Sequence, residues 1–526
     1  MAKLSLVSLL LTLTHPVFSA TVTRSLDIVN DNVSPDGLTR PAILVNGSLP
    51  GPLISGNASD TFLVNVTDNL TDTTMYRGVS IHWHGLYQKG HAADDGASWV
   101  TQCPIIPNNS FLYNFTAANQ TGTYWYHSHE GTQYCDGLRG PLVIYDPEDP
   151  HANLYDVDDE TTVITLADWV IDTRNQFARR PPNSTLINGR GRYLDGPNVP
   201  LSVVNVTQGL RYRFRIVSVS CSPSFKFQID GHNMTVIEAD GIETEPVTVN
   251  ALTIYAGQRY SVVVNASQPI GNYWIRAEPS ASGAITGFEN GINSAVLRYS
   301  GAAQEEPTTL QDTDDNPLNE ADLVRMLTFL QPGEPRPGGV DLALNLDISL
   351  VSLLRVSSKL ISFFKNVQAW ENPATPVLLQ ILNGNTDLVP ADSLYELPGN
   401  STIELSMPGS FAVSKCTLYM HLHGHSFDIV RVAGSTEYNY KNPPRRDVVS
   451  MGDSGGDDKN NVTIRFVTDN AGPWFLHCHI DWHLASGLAV VFVEDRENIN
   501  SVTHFSDEWK NLCPAYSANP PDATFS

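Results

Sequence analysis

Hydrophobic and polar positions alternate along this chain in short runs, and Gly, Pro, Asn or Asp closes most of them. Stretches such as Asp27–Val29, Ile43–Val45, Phe62–Val66, Val163–Leu166, Tyr212–Val217, Ser261–Val264 and Ala489–Val493 are rich in β-branched and aromatic residues. Such side chains suit a pleated, half-buried surface, and few helical periodicities compete with them. The pattern predicts an all-β protein built from sandwich or barrel domains.

A repeat organises these strands further. Gly122-Thr-Tyr-Trp-Tyr-His-Ser-His129 matches Gly472-Pro-Trp-Phe-Leu-His-Cys-His479 in frame. Gly271-Asn-Tyr-Trp-Ile-Arg-Ala-Glu278 keeps the frame but carries Arg276 and Glu278 where the other copies have histidine. The first and last copies are each followed by a glycine and a buried strand, at Gly137 and Gly487. Three related β domains are expected, the middle one a spacer that packs and helps to shape a substrate pocket. Polar, Pro-rich links place the boundaries, first at Asp146-Pro-Glu-Asp-Pro150 and then around Ala303–Pro317. The domains expected are 21–150, 151–316 and 317–526, after an N-terminal segment 1–20.

Composition narrows the setting. A length of 526 residues is enough for about three domains. A net charge of -24 with 17% charged residues describes an acidic, soluble chain, and no Lys/Arg stripe or Gly-rich phosphate loop points to nucleic acid. Residues 3–20 have a positive start, a short apolar run and small residues near Ser19–Ala20, the form of a secretory signal. No other apolar run is long enough to span a membrane, so no membrane partner is expected. Sequons at Asn65, Asn69, Asn114, Asn205 and Asn461 fit a secreted glycoprotein. Six cysteines in an oxidising compartment suggest disulfides, whose pairing spacing alone does not choose.

The chemistry lies in the histidines. His-x-His pairs stand at His82/His84, His127/His129, His421/His423 and His477/His479. Random placement of 15 histidines in 526 positions gives roughly half a pair, so chance does not account for them. On a strand, each pair sets two imidazoles on one face about 6.5 Å apart. Four pairs exceed the needs of one ion and suit a group of two or three metals. Between His477 and His479, Cys478 faces the other way, and His483 follows five residues later. A thiolate with imidazoles and a weak axial ligand is a blue-copper arrangement, whereas zinc has no redox chemistry that would need two joined centres.

His82-Trp-His-Gly, Tyr126-His-Ser-His, His421-Leu-His-Gly-His and His477-Cys-His-Ile-Asp-Trp-His resemble the four copper signatures of multicopper oxidases, most closely fungal laccases of the basidiomycete type. The resemblance runs from about Ser25 to Tyr516. It implies three consecutive cupredoxin-like Greek-key domains and four copper ions. His82 and His421 would hold the type 2 ion. His84, His127 and His479 would hold one type 3 ion, and His129, His423 and His477 the other. Cys478 and His483 would hold type 1, with Leu488 as a non-coordinating axial residue that raises its potential. Asp95 and Asp481 would be the acid–base groups, and Cys103–Cys513 and Cys135–Cys221 the disulfides, leaving Cys416 unpaired. The activity implied is that of a secreted, monomeric laccase: phenols or aromatic amines are oxidised, dioxygen is reduced to water, and lignin breakdown is a role that fits. A ferroxidase, an ascorbate oxidase, or a copper-binding protein with impaired oxidase activity are the competing readings.

The chain departs from that family at three places. Laccases carry a type 1 histidine three residues before the position of His421, and Leu418 stands there. Leu350–Phe364 is apolar and basic where the family has an Asn-Gly turn, and Ser222 replaces an acidic or amide residue that binds the phenolic hydroxyl. The first two are read as misplaced exon boundaries. Transcript sequencing checks this, and a cDNA that encodes Leu418 overturns it.

Overall fold

A computed structural model describes residues 19–170, 181–280, 283–314, 316–326, 332–346, 369–408, 417–452 and 461–521. Residues 1–18 of the expected secretory signal, the stretch Leu350–Phe364 and Cys416 lie outside the described residues.

The strands form six sheets that fall into three pairs along the chain. The first pair is built from strands between Thr21 and Tyr145, the middle pair between Val163 and Tyr299, and the third between Leu342 and Glu494. Each expected strand lies within one of these elements. Strands on the outer faces show the alternation that one-sided burial produces, as in Thr61–Asp68, where Phe62, Val64 and Val66 point inward. Other strands are buried on both faces, as in Gly122–Ser128, Val163–Trp169, Gly472–Cys478 and Ala489–Glu494. That two-sided burial is why their sequences lack the regular polar alternation of the outer strands.

The three-fold repeat occupies one topological position in each pair. Gly122–Ser128 lies between Arg139–Tyr145 and Ile81–His84. Asn272–Pro279 lies between Ser294–Tyr299 and Phe225–Ile229, and Gly472–Cys478 between Ala489–Glu494 and Tyr419–Leu422. In the middle copy, Arg276 makes a two-pronged ion pair with Asp230 at 2.7 Å on both prongs, and Glu278 accepts from the Gly287 N–H. These residues have become structural where the flanking copies carry histidine.

Two disulfides close the fold, Cys103–Cys513 and Cys135–Cys221. The first ties the C-terminal helix Asp507–Ala518 to the first sheet pair across 410 residues of chain. Truncating Arg276 to leucine strands the buried Asp230 carboxylate, which costs about 3–5 kcal/mol. Thermal unfolding should therefore shift down clearly while the metal content per chain stays that of the parent protein.

Candidate metal centre

Two strand pairings bring the histidines together. Ile81–His84 runs antiparallel to Gly122–Ser128 with His82 opposite His127. Tyr419–Leu422 runs antiparallel to Gly472–Cys478 with His421 opposite His477 and Met420 opposite Cys478. The first and third sheet pairs abut at these strands, and their imidazoles interleave. His82 stacks on His423 and His84 on His421, each with ring centroids 3.8 Å apart. Every one of these residues is buried.

The nitrogens gather into the expected groups. His84, His127 and His479 form one triad and His129, His423 and His477 another, while His82 and His421 meet beside His84. Within each group the ring nitrogens lie within 4.8 Å of one another.

A ring of acceptors sets the tautomers. The Nδ1–H groups of His82, His127, His421 and His477 donate to the carbonyls of Asp95, Ser128, Asp447 and Cys478 at 2.8–3.0 Å. His423 Nδ1 donates to Asp95 Oδ2 at 2.9 Å, and His84 Nε2 to Asp447 Oδ1 at 3.2 Å. A neutral imidazole carries one proton, so the opposite nitrogen of each ring presents a lone pair to the centre. His423 Nε2 then faces His477 Nε2 at 3.1 Å, His84 Nδ1 faces His479 Nε2 at 3.2 Å, and His82 Nε2 faces His421 Nε2 at 3.5 Å. His127 Nε2 and His129 Nε2 are buried without a partner among the described residues. At the His423–His477 and His82–His421 contacts both rings use their outer nitrogen as donor, so two lone pairs face each other and repel unless a cation lies between them; the donor set fits metal ions, and imidazole suits copper.

Burial and mutual repulsion keep these rings neutral. Desolvation first, and then neighbouring histidines, push His84, His127, His421, His423 and His477 well below the ordinary histidine range. His129 and His479 are lowered to about 3, again chiefly by burial. Neutral rings are the form a metal needs.

The thiolate side is less complete. Cys478 is buried, belongs to neither disulfide, and its Sγ lies 3.4 Å from His483 Nδ1 on the short helix Asp481–Ala485. Leu488 is fully buried, and its carbonyl accepts the Cys478 N–H. Leu418 immediately precedes the strand Tyr419–Leu422, two residues before Met420, which stands opposite Cys478. It is buried there and offers no lone pair.

Asp95 and Asp481 are both interior groups, not loop carboxylates at the surface. Asp95 sits against His82 and His423. Asp481 lines a cavity of about 10 Å³, enough for one water, with His127, His129, His477, His479 and Tyr134. Burial, then Asp168 and Asp136, push its carboxyl well above the usual range against the opposing pull of Arg139. Its Oδ2 lies 3.1 Å from Cys135 Sγ, a disulfide sulfur with no hydrogen, so the contact favours the protonated acid. Ser222 is buried next to Cys221, whose carbonyl accepts the Asp481 N–H. His425 takes no part and pairs with Glu494 at 2.7 Å.

Sequence reading missed Asp447, which touches both His84 and His421. The one local signal is an acidic residue closing Arg445-Arg446-Asp447 just before the apolar strand Val448–Ser450.

In metal-free protein, histidines whose folded pKa lies far below the ordinary 6.5 bind fewer protons than in the unfolded chain. Their contribution is fully present above pH 6.5 and is lost as pH falls towards 3. The unfolding temperature of copper-stripped protein should therefore fall steeply on acidification from neutrality. A flat profile between neutral and mildly acid pH contradicts this.

Comparison with known proteins agrees with the geometry. Family models described as multicopper oxidase match residues 27–149, 160–302 and 364–498, one on each sheet pair. Laccase-4 of Trametes villosa is 55% identical over 499 residues, 94% of this chain and 93% of its own length. Laccase-5 of Trametes versicolor is 52% identical over 527 residues, 98% of this chain and 97% of its own. Among solved structures, a laccase from Botrytis aclada has a TM-score of 0.80 at 31% identity, covering 97% of this chain and 94% of its own. A multicopper oxidase that functions in iron import has a TM-score of 0.79 at 29% identity, covering 94% of this chain and 95% of its own. The chain belongs to the multicopper oxidase family, and within it stands with the fungal laccases.

Proposed function

We propose that this chain is an extracellular, monomeric laccase that oxidises phenols or aromatic amines and reduces dioxygen to water. The observation that carries the reading is the strand Gly472–Cys478 with the residue after it. Cys478 faces one way towards His483, while His477 and His479 face the other way into two different triads. Copper held at these positions supplies one-electron oxidation of the organic substrate at the thiolate side and four-electron reduction of dioxygen at the histidine side.

The polypeptide contributes the path, the dryness and the protons. Cys478 is bonded through backbone to both His477 and His479, and its carbonyl accepts from His477 Nδ1 at 3.0 Å. Two short links therefore join the thiolate to the two triads. Leu488, Leu418, Ile480 and Trp482 are buried, and Cys478 is itself fully buried. Asp481, held neutral, is the proton donor at the small cavity between the triads, and Asp95 orients His423 and His82 from the opposite side. Secretion is supported by the leader-like segment 1–20 and two disulfides. Among the described residues no helix is long and apolar enough to cross a membrane. Asn69 and Asn205 are exposed and open to glycosylation.

Purified, copper-loaded protein should consume dioxygen with a phenol faster than with ferrous iron or ascorbate, and a preference for iron would replace the reading with a ferroxidase. Leu418 leaves the thiolate side with Cys478 and His483 as its strong donors, so the blue absorption should be weak and phenol turnover poor. Leu418→His should deepen the blue band and raise phenol turnover roughly tenfold or more. An intense blue band in the parent protein contradicts that assignment.

A further inference from the structure

The middle sheet pair carries none of the clustered histidines, yet it reaches them. Arg259 opens the strand Arg259–Asn265 and is fully buried. Its Nη1 and Nη2 donate to the two carboxylate oxygens of Asp447 at 2.7 and 2.6 Å, and its Nε donates to the carbonyl of Thr123 at 2.9 Å. Thr123 lies on the strand that bears His127, and Asp447 belongs to the third sheet pair. One guanidinium therefore touches all three units.

Asp447 passes that grip to the histidines. Its Oδ1 accepts from His84 Nε2 at 3.2 Å, and its main-chain carbonyl accepts from His421 Nδ1 at 2.9 Å. These two contacts leave His84 Nδ1 and His421 Nε2 as the nitrogens that face the centre. The same segment closes on the rings directly: a Cβ on Gly257 would lie 3.0 Å from both His84 Cε1 and His479 Cδ2. A second buried pair, Arg446 with Asp240, pins the residue before Asp447 to the middle unit at 2.9 and 3.0 Å.

We propose that Arg259 and Asp447 are positioning residues for the copper cluster, and that the middle unit sets the tautomer and aim of His84 and His421 through them. Arg259 orients the carboxylate, since a planar fork on two oxygens leaves one rotation for the Asp447 side chain. The carboxylate in turn fixes the imidazoles, which is the usual task of a group behind a metal-binding histidine. The inference rests on the copper reading above and assigns the middle unit a role at the cluster itself.

The test is copper retention in Asp447→Asn, Arg259→Gln and Arg259→Lys, read by metal content under chelator titration and by the spin-resonance signal of the type 2 ion. Arg465→Gln is the control, because it breaks a buried pair with Glu404 and Arg465 touches no histidine among the described residues. The expected result is roughly 10–100-fold easier loss of type 2 copper in Asp447→Asn and Arg259→Gln. Arg259→Lys should be intermediate, since it keeps the charge without the fork and guards against a variant that fails to fold. Arg465→Gln should lower the unfolding temperature yet retain the ion. Folded Asp447 and Arg259 variants with parental type 2 signal and chelator resistance overturn the proposal and leave the copper reading standing. Parent protein that binds no copper under loading overturns both.

Discussion

Lone pairs that face one another in a dry interior govern this structure. His84, His127, His129, His421, His423, His477 and His479 are held in neutral form by burial, and hydrogen bonds at the outer edges of His84, His127, His421, His423 and His477 aim their remaining nitrogens inward. Without a cation the arrangement is repulsive, at 3.1 Å between the facing nitrogens of His423 and His477 and 3.5 Å between those of His82 and His421. With one, the same convergence becomes a binding site whose affinity stabilises the junction of the first and third sheet pairs. The fold can therefore be viewed as two histidine-bearing sheets pressed together, with a third unit bracing the seam.

The bracing is electrostatic. Arg259, Asp447, Arg446 and Asp240 are interior charges, each matched by a partner with two-pronged or multiple hydrogen bonds. Buried charge is costly unless every partner is in place, so such a seam tolerates little displacement. That intolerance is useful beside a metal cluster, where small errors in ring orientation remove a ligand. The repeat explains how the middle unit came to this role. Its equivalent strand pairs Arg276 with Asp230, retaining a packed interior where its siblings carry histidine.

The two faces of the strand that ends at Cys478 differ in completeness. On the histidine face every expected donor is present and buried. On the sulfur face, Cys478 lies 3.4 Å from His483 Nδ1, and Leu418 and Leu488 are buried in the same apolar core. Among the described residues the sulfur face is therefore sparser in donors than the histidine face.

Much of this was legible in the chain alone because it is local. Strand alternation with a period of two places His477 and His479 opposite Cys478, and the same period assigns the other His-x-His pairs to single faces. The repeat Gly122–His129, Gly271–Glu278 and Gly472–His479 marks three related units in the sequence, and the resemblance to multicopper oxidases supplied the ligand groups. The disulfide pairing and the depth of Asp95 and Asp481 came from resemblance or from structure, since neither is written in spacing. Asp447 and Arg259 were invisible for a physical reason. Their partners stand 363 and 188 positions away along the chain, and only the packing of three sheet pairs brings a carboxylate from one unit between an arginine of the second and a histidine of the first. The sequence by itself determined which atoms can bind copper; the tertiary structure decided what holds those atoms in place.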